Sequence, residues 1–122
     1  MIPKFRAWDS WRKRMSVVDR IYIDTEGIRL YDDFGEYWRD FRDVKLMQST
    51  GLKDKNDKEI FEGDILDYKG RKALVRWHGS YASFIYRFVD ELQNRNTEWK
   101  PLYLAYMKCE IIGNIYENLE LL

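Results

Sequence analysis

Residues 63–77 read Gly-Asp-Ile-Leu-Asp-Tyr-Lys-Gly-Arg-Lys-Ala-Leu-Val-Arg-Trp. Two strand-like stretches flank a short Lys69-Gly70-Arg71 turn, which is the signature of a β-hairpin. Side chains alternate along a strand, so Ala73, Val75 and Trp77 share one face while Leu74, Arg76 and His78 share the other. Gly79 and Ser80 then turn the chain into a third strand over 81–89, dense in aromatics.

The rest of the chain continues in the same manner. Residues 5–8, a turn at 9–13 and a Val/Ile-rich return at 15–23 predict an N-terminal hairpin. A short strand over 28–31 follows Gly27 and is broken at 32–35. Residues 36–43 are ambiguous: Tyr37, Trp38 and Phe41 suit one or two helical turns, and strand fits equally. An extended stretch at 44–48 leads to a hairpin whose tip is Asn56-Asp57. A type I′ tip needs positive φ at both central residues, and Asp57 costs more there than glycine. Residues 90–101 predict a loop, and 102–107 and 109–115 complete the sheet with a bend at Gly113-Asn114. Residues 116–122 close as a short helix or packed tail. Short strands at close spacing, joined by glycine turns, predict a single mainly β domain over 1–122. The expected architecture is a small SH3-like barrel or barrel-like sheet with short helical elements, because the 63–77 pattern resembles an SH3-like barrel hairpin.

Composition bounds the function. A chain of 122 residues that is 45% apolar and 16% aromatic can bury a core without metals or disulfides. Lysine plus arginine and aspartate plus glutamate both number 21, so no net charge draws the chain toward nucleic acid or an anionic membrane. Cys109 is the one cysteine, which fits a reducing compartment and reads as a small packed thiol. The N-terminus carries no apolar signal region, and no run approaches the ~18 apolar residues of a membrane helix. These features predict a soluble protein of the cytoplasm.

No catalytic or cofactor signature is present. Residues 54–59, Asp-Lys-Asn-Asp-Lys-Glu, superficially match a calcium loop. They fail because an EF-hand needs an oxygen ligand at position 5, Gly at 6 and Glu at 12, where this chain has Lys58, Glu59 and Ile65. Glu62, Asp64 and Asp67 alternate in facing, which argues against a shared metal; Asp64 is expected to bond local backbone. His78 is the one histidine, too few for a nitrogen-ligand metal site. Thus no metal, cofactor or catalytic residue is expected.

Basic and aromatic residues interleave in the middle of the chain: Lys69, Arg71, Lys72, Arg76, Trp77, Tyr81, Tyr86 and Arg87. Small β-barrels that bind single-stranded nucleic acid combine stacking aromatics with basic side chains along a groove. Burial is nonetheless the commoner fate of strand aromatics. A second cluster, Lys4, Arg6, Trp8, Trp11, Arg12, Lys13 and Arg14, lies at the N-terminus and reads as part of a binding face or as a charged hairpin turn.

Three segments together resemble the YopX family of phage and prophage proteins. They are Lys4-Phe5-Arg6-Ala7-Trp8-Asp9, the stretch 46–65 with Thr50-Gly51-Leu52-Lys53-Asp54-Lys55-Asn56 and Glu62-Gly63-Asp64-Ile65, and Ile112-Gly113-Asn114-Ile115-Tyr116-Glu117-Asn118. The chain departs from the family pattern at Asp57 (glycine expected), Ser49 (an aromatic) and Leu119 (proline). The resemblance implies a compact, mainly β, phage-encoded protein acting in a bacterial cytoplasm, with no activity to carry over. The expected function is a non-catalytic module that binds a host or phage protein or self-associates. Nucleic-acid binding through Lys69, Arg71, Lys72, Arg76, Trp77, Tyr81 and Arg87 is the alternative, and an enzyme using Asp64, His78 or Cys109 is the least favoured.

Overall fold

The computed structural model describes residues 4–94 and 98–122. The chain folds as two compact units, Met1–Ser49 and Thr50–Leu122.

In the first unit the predicted hairpin forms from β1 (Phe5–Asp9) and β2 (Arg14–Tyr22). It is followed by β3 (Gly27–Asp32), β4 (Gly35–Asp40) and the start of β5 (Val44–Lys53). All pairings are antiparallel, in the order β4-β3-β2-β1-β5. The ambiguous 36–43 segment is strand up to Asp40, then a 3-10 turn over Phe41–Asp43. Pairing decides this. Opposite β3, Tyr37 faces Leu30 and Trp38 faces Arg29, so the two aromatics point to opposite sides. Tyr37 joins Val18, Phe41 and Leu46 around a buried cluster of Ala7, Ile28, Leu30 and Val44. Trp38 instead lies over Gly27, where any Cβ would collide with the indole ring. Glycine at 27 is therefore what lets the indole lie flat on the sheet.

In the second unit β5 runs on to Lys53, and β6 (Glu59–Phe61) is hydrogen-bonded to it. The tip between them is not type I′. Asp57 has φ +65°, but Asn56 is not left-handed; Asp57 N donates to Asp54 O at 3.0 Å and Asp54 N to Lys58 O at 2.8 Å. This is the three-residue loop in which one left-handed residue follows a tight turn. The two-residue tip with positive φ at both positions occurs instead at Lys69 (φ 51°) and Gly70 (φ 87°). Since Asp57 is left-handed, Asp57→Gly is expected to stabilise the protein by a few tenths to ~1 kcal/mol. A rise in thermal midpoint checks this; a fall refutes it. The exposed Lys53–Asp57 pair lost by the change, 3.6 Å apart, is worth little.

The second sheet contains β7 (Asp64–Tyr68), β8 (Arg71–His78), β9 (Ser83–Phe88), β10 (Lys100–Pro101) and β11 (Cys109–Asn114), in the antiparallel order β10-β9-β8-β7-β11. Ile60, Leu66, Ala73, Val75, Tyr86, Phe88, Leu102, Ala105 and Cys109 form its core. The expected strand at 102–107 is instead two 3-10 turns, Leu102–Leu104 and Tyr106–Lys108. Leu102 and Ala105, three apart, are buried while Tyr103, Leu104 and Met107 are exposed, a spacing no strand can satisfy. Of the expected 90–101 loop, residues 95–97 lie outside the described residues. Val89–Glu91 form a 3-10 turn, and Lys100–Pro101 pairs with β9. The bend at Gly113 is a bulge in the β7–β11 ladder, and Leu119–Leu121 supplies the short terminal turn.

The chain is mainly β, but among the described residues the strands form open antiparallel sheets and not a closed barrel. Local chemistry explains why the second sheet stays open. At one edge, Lys55 N donates to Cys109 O (2.9 Å) and Ile111 N to Asp54 Oδ2 (2.9 Å), so a loop covers β11 where a closing strand would have to pair. At the other, β10 is two residues long and ends in Pro101, which has no N–H to give. No helix among the described residues is long and apolar enough to cross a membrane.

Candidate binding surfaces

Strand alternation distributes the predicted basic and aromatic residues over both sides of the second sheet. Arg71 and Trp77 fall on the side of Ala73 and Val75; Lys72 and Arg76 fall on the other, with Arg87, which pairs across from Leu74. Arg71 is already engaged. Its guanidinium stacks 3.6 Å from the Phe88 ring centroid and bonds Asp90 Oδ1 (3.0 Å) and Glu91 Oε1 (3.2 Å). Arg87 donates to the Glu91 and Asn94 carbonyls at 3.3 and 2.9 Å. Tyr86 is buried in the core, and Trp77 packs edge-on to Phe84 with centroids 4.9 Å apart. Tyr81 belongs to a three-ring cluster with His78 and Trp99, all centroids within 4.8 Å of one another. Lys69, Lys72 and Arg76 are exposed.

The residues weighed for chemistry have separate, local partners. Asp64 accepts from Phe61 N at 2.8 Å, as the sequence predicts for a turn-to-strand junction. Asp67 accepts from Gly70 N at 3.1 Å across its turn. The Cys109 thiol donates to Ala105 O at 3.3 Å, and burial, followed by the Asp67 and Asp54 carboxylates, pushes its pKa up to about 11. So protonated a thiol is a packing group and not a nucleophile at neutral pH. Among the described residues no group of three His, Cys, Asp or Glu side chains is placed to hold a metal.

The second cluster, at the N-terminus, is assembled into something more ordered. Asp9 is fully buried at the end of β1. Its Oδ1 accepts from Trp11 N (2.9 Å), Arg12 N (3.3 Å) and Arg39 Nε (3.3 Å). Burial alone would raise the Asp9 pKa; the Trp11 and Arg12 amides, the Tyr37 hydroxyl and the Arg39 charge outweigh it and hold the carboxyl below its ordinary value. Arg39 in turn lies over the Tyr37 and Trp11 rings, at 4.8 and 5.9 Å from their centroids. Arg12 stacks on Tyr37 at 4.1 Å, and Arg14 on Phe34 at 4.7 Å. Asp32 sits between Arg12 (3.2 Å) and Arg14 (3.8 Å). Three guanidiniums thus lie over three aromatic rings, anchored by two aspartates. At the outer edge of this lattice, Trp11 is 73% and Phe34 77% exposed.

Of this lattice, local sequence pattern singles out Trp11, Arg12 and Arg14 but not Phe34, Tyr37, Arg39 or the two aspartates. Those residues come from β1 and the β3–β4 hairpin. The one available signal for the hairpin is the aromatic run at 36–43, whose facing is undecided until β4 pairs with β3.

A family model described as YopX protein matches residues 4–122. The chain belongs to the YopX family. A similar solved structure is the crystal structure of protein EF1440 from Enterococcus faecalis, 31% identical, with a TM-score of 0.63. The match covers 99% of this chain and 98% of that one. No curated protein matches the chain. The segments that carry the family resemblance serve the fold in this structure: Asp9 closes the first hairpin, Asp54 ties the second to β11, and Asn118 Oδ1 accepts from Asn114 N at 3.1 Å. That last contact requires Gly113, since a Cβ there would meet the Asn118 side chain at 2.5 Å. Asp9, Asp54, Gly113 and Asn118 of the YopX pattern are thus turn and edge fasteners.

Proposed function

We propose that this YopX protein is a non-catalytic protein-interaction module, encoded by a phage or prophage and acting in the bacterial cytoplasm. The observation that carries the reading is the arginine–aromatic lattice of the first unit. Energetically dominant interface residues are enriched in Trp, Tyr and Arg, and they contribute most when held rigid before binding. Here Trp11 and Phe34 stand exposed while guanidiniums stacked on their rings and carboxylates beneath those guanidiniums hold the surroundings in place. A second protein or a second copy of the chain fits that surface.

The test is a paired capture from bacterial host lysate with the native protein and a Trp11→Ala/Phe34→Ala variant, alongside light scattering for self-association. A partner, or a dimer, seen with the native protein and lost with the folded variant supports the reading. A strict monomer that captures nothing sinks it. The exposure of Lys72 and Arg76 on one side of β8 favours nucleic acid as a second reading. Filter binding at low salt separates the two, because retention of nucleic acid must fall steeply as salt rises.

A further inference from the structure

β4 is the last strand in the order β4-β3-β2-β1-β5-β6, and its outer edge carries no strand among the described residues. An open edge is a row of unpaired backbone donors and acceptors, and proteins normally blunt it. The other sheet ends are blunted: β11 by the loop at 54–55, β10 by its length and Pro101, and β6 by being three residues long. β4 has six residues and no such device. Its pairing fixes which groups face outward. Phe41 N donates to Glu26 O at 2.9 Å, in the register that sets Arg39 opposite Ile28 and Tyr37 opposite Leu30. Hydrogen-bonded positions alternate along an antiparallel strand, so Glu36, Trp38 and Asp40 turn their N–H and C=O groups away from β3. Among the described residues no acceptor meets those three N–H groups. The Trp38 carbonyl accepts from Arg39 NH1 at 2.9 Å and keeps a second lone pair.

The edge also has room beside it. Only Phe41–Asp43 separate β4 from β5, which stands four places away in the sheet. In a flat sheet those strands would be about 19 Å apart, whereas the linking chain reaches at most about 15 Å. The sheet therefore curls, and Arg39 of β4 meets Asp9 of β1 at 3.3 Å. A cavity of about 170 Å³ lies in the resulting seam, lined by Trp38, Arg39, Asp40, Trp11 and Asp43. Consecutive strand side chains point to opposite faces, so a space touched by residues 38, 39 and 40 together runs along the edge of β4. Trp11 and Asp43 bound it on the other side.

We propose that an extended segment of the partner protein adds to β4 as a further strand, bonding the outward backbone groups of Glu36, Trp38 and Asp40. The seam selects a single extended chain over a second copy of this protein. The β4 of a second copy already carries β3 on its far side, where Trp11 and Asp43 stand in this seam. Main-chain bonds supply the affinity of such an added strand, and side-chain contacts its specificity. On the outer face a β-branched or aromatic residue opposite Trp38 packs on its half-buried indole. The inference rests on the protein-interaction reading and names the form in which the partner binds.

The experiment titrates isotope-labelled protein with the capped peptide acetyl-Thr-Val-Thr-Val-Thr-amide, which is uncharged and favours the extended state. Saturable shifts and slowed hydrogen exchange are expected at the Glu36, Trp38 and Asp40 amides, with those of β7 and β8 unmoved. The same peptide N-methylated at every residue cannot donate and should produce neither. Asp40→Pro blocks the edge from the protein side. Asp40 has φ −69°, the value proline requires, and the N–H it would lose bonds nothing, so the melting temperature should hold. Binding of the peptide should fall roughly tenfold. Asp40→Ala, which keeps the N–H, should bind as the native protein does. Absence of saturation, equal binding of the N-methylated peptide, or native affinity in Asp40→Pro overturns the proposal. A partner captured from lysate and held equally by Asp40→Pro also overturns it while leaving the interaction reading intact. That reading falls on the capture and light-scattering results alone, so the two failures are distinct.

Discussion

Asp54→Ala is expected to cost about 3–5 kcal/mol, enough to lower the melting temperature by on the order of 10–20 °C. The residue is 5% exposed, and its carboxylate accepts three backbone N–H bonds: from Asn56 and Lys58 on Oδ1 and from Ile111 on Oδ2, each 2.9 Å. Two of these shape the loop at 54–58, and the third fastens that loop to β11. Alanine leaves three backbone donors without their charged acceptor, and hydrogen bonds to a charged group contribute more than neutral ones. Hydrogen exchange at Asn56, Lys58 and Ile111 should accelerate before the rest of the second unit responds. A melting temperature within about 3 °C of the native value, or unchanged protection at Ile111, would refute the account.

The same carboxylate makes a pH prediction. Burial acts to raise the Asp54 pKa, but the three amide donors outweigh it and the folded value lies below the ordinary one. A depressed folded pKa contributes stability that is complete above the unfolded value of about 3.9 and is lost as pH falls toward the folded value. Asp9 has the same sign. The native protein should therefore lose stability below about pH 4, and Asp54→Asn should show a shallower acid limb.

Asp9→Ala is expected to cost about 2–4 kcal/mol, because it removes a turn-closing acceptor and leaves the partly buried Arg39 without its counter-charge. Asp9→Asn separates the two effects. The amide oxygen can still accept from Trp11 and Arg12, so roughly half of the loss should remain, assignable to Arg39. In both variants the Trp11 environment should change, since the Asp9 carboxylate holds both the Trp11 amide and the Arg39 guanidinium that lies over its ring. Denaturant unfolding and the Trp11 indole resonance measure the two consequences. Equal losses in the alanine and asparagine variants would mean that the ion pair contributes nothing.

Much of the fold is legible in the sequence because strand-forming residues fall in short runs between turn residues. Burial alternates in β1, where Ala7 and Asp9 are buried, whereas β7, β8 and β9 each bury neighbouring residues, Ile65 with Leu66, Ala73 through Val75, and Ile85 with Tyr86. The 102–107 segment misleads because Leu102, Tyr103, Leu104 and Tyr106 suit a strand individually, while burial follows Leu102 and Ala105. The barrel expectation fails for a comparable reason: closure depends on what reaches a sheet edge, and no local pattern announces that Asp54 and Lys55 will cover β11. The two-residue tip with positive φ falls at a different turn from the expected one. Asn56-Asp57 carries the usual residue types, whereas Lys69 accepts positive φ in a tighter connection.

By itself the sequence determined a mainly β chain, its family, and the structural character of Asp64, since alternation and turn chemistry act over a few residues. Only the tertiary structure decided which basic and aromatic side chains share a surface. Arg71, a chain neighbour of the exposed Lys69 and Lys72, and Arg87 are engaged by Asp90, Glu91 and carbonyl groups. Arg12, Arg14 and Arg39, from two different hairpins, meet over Tyr37 and Phe34. Strand pairing brings together residues twenty or more positions apart, and ion pairing removes charges that composition counts as available. Neither can be read from local periodicity.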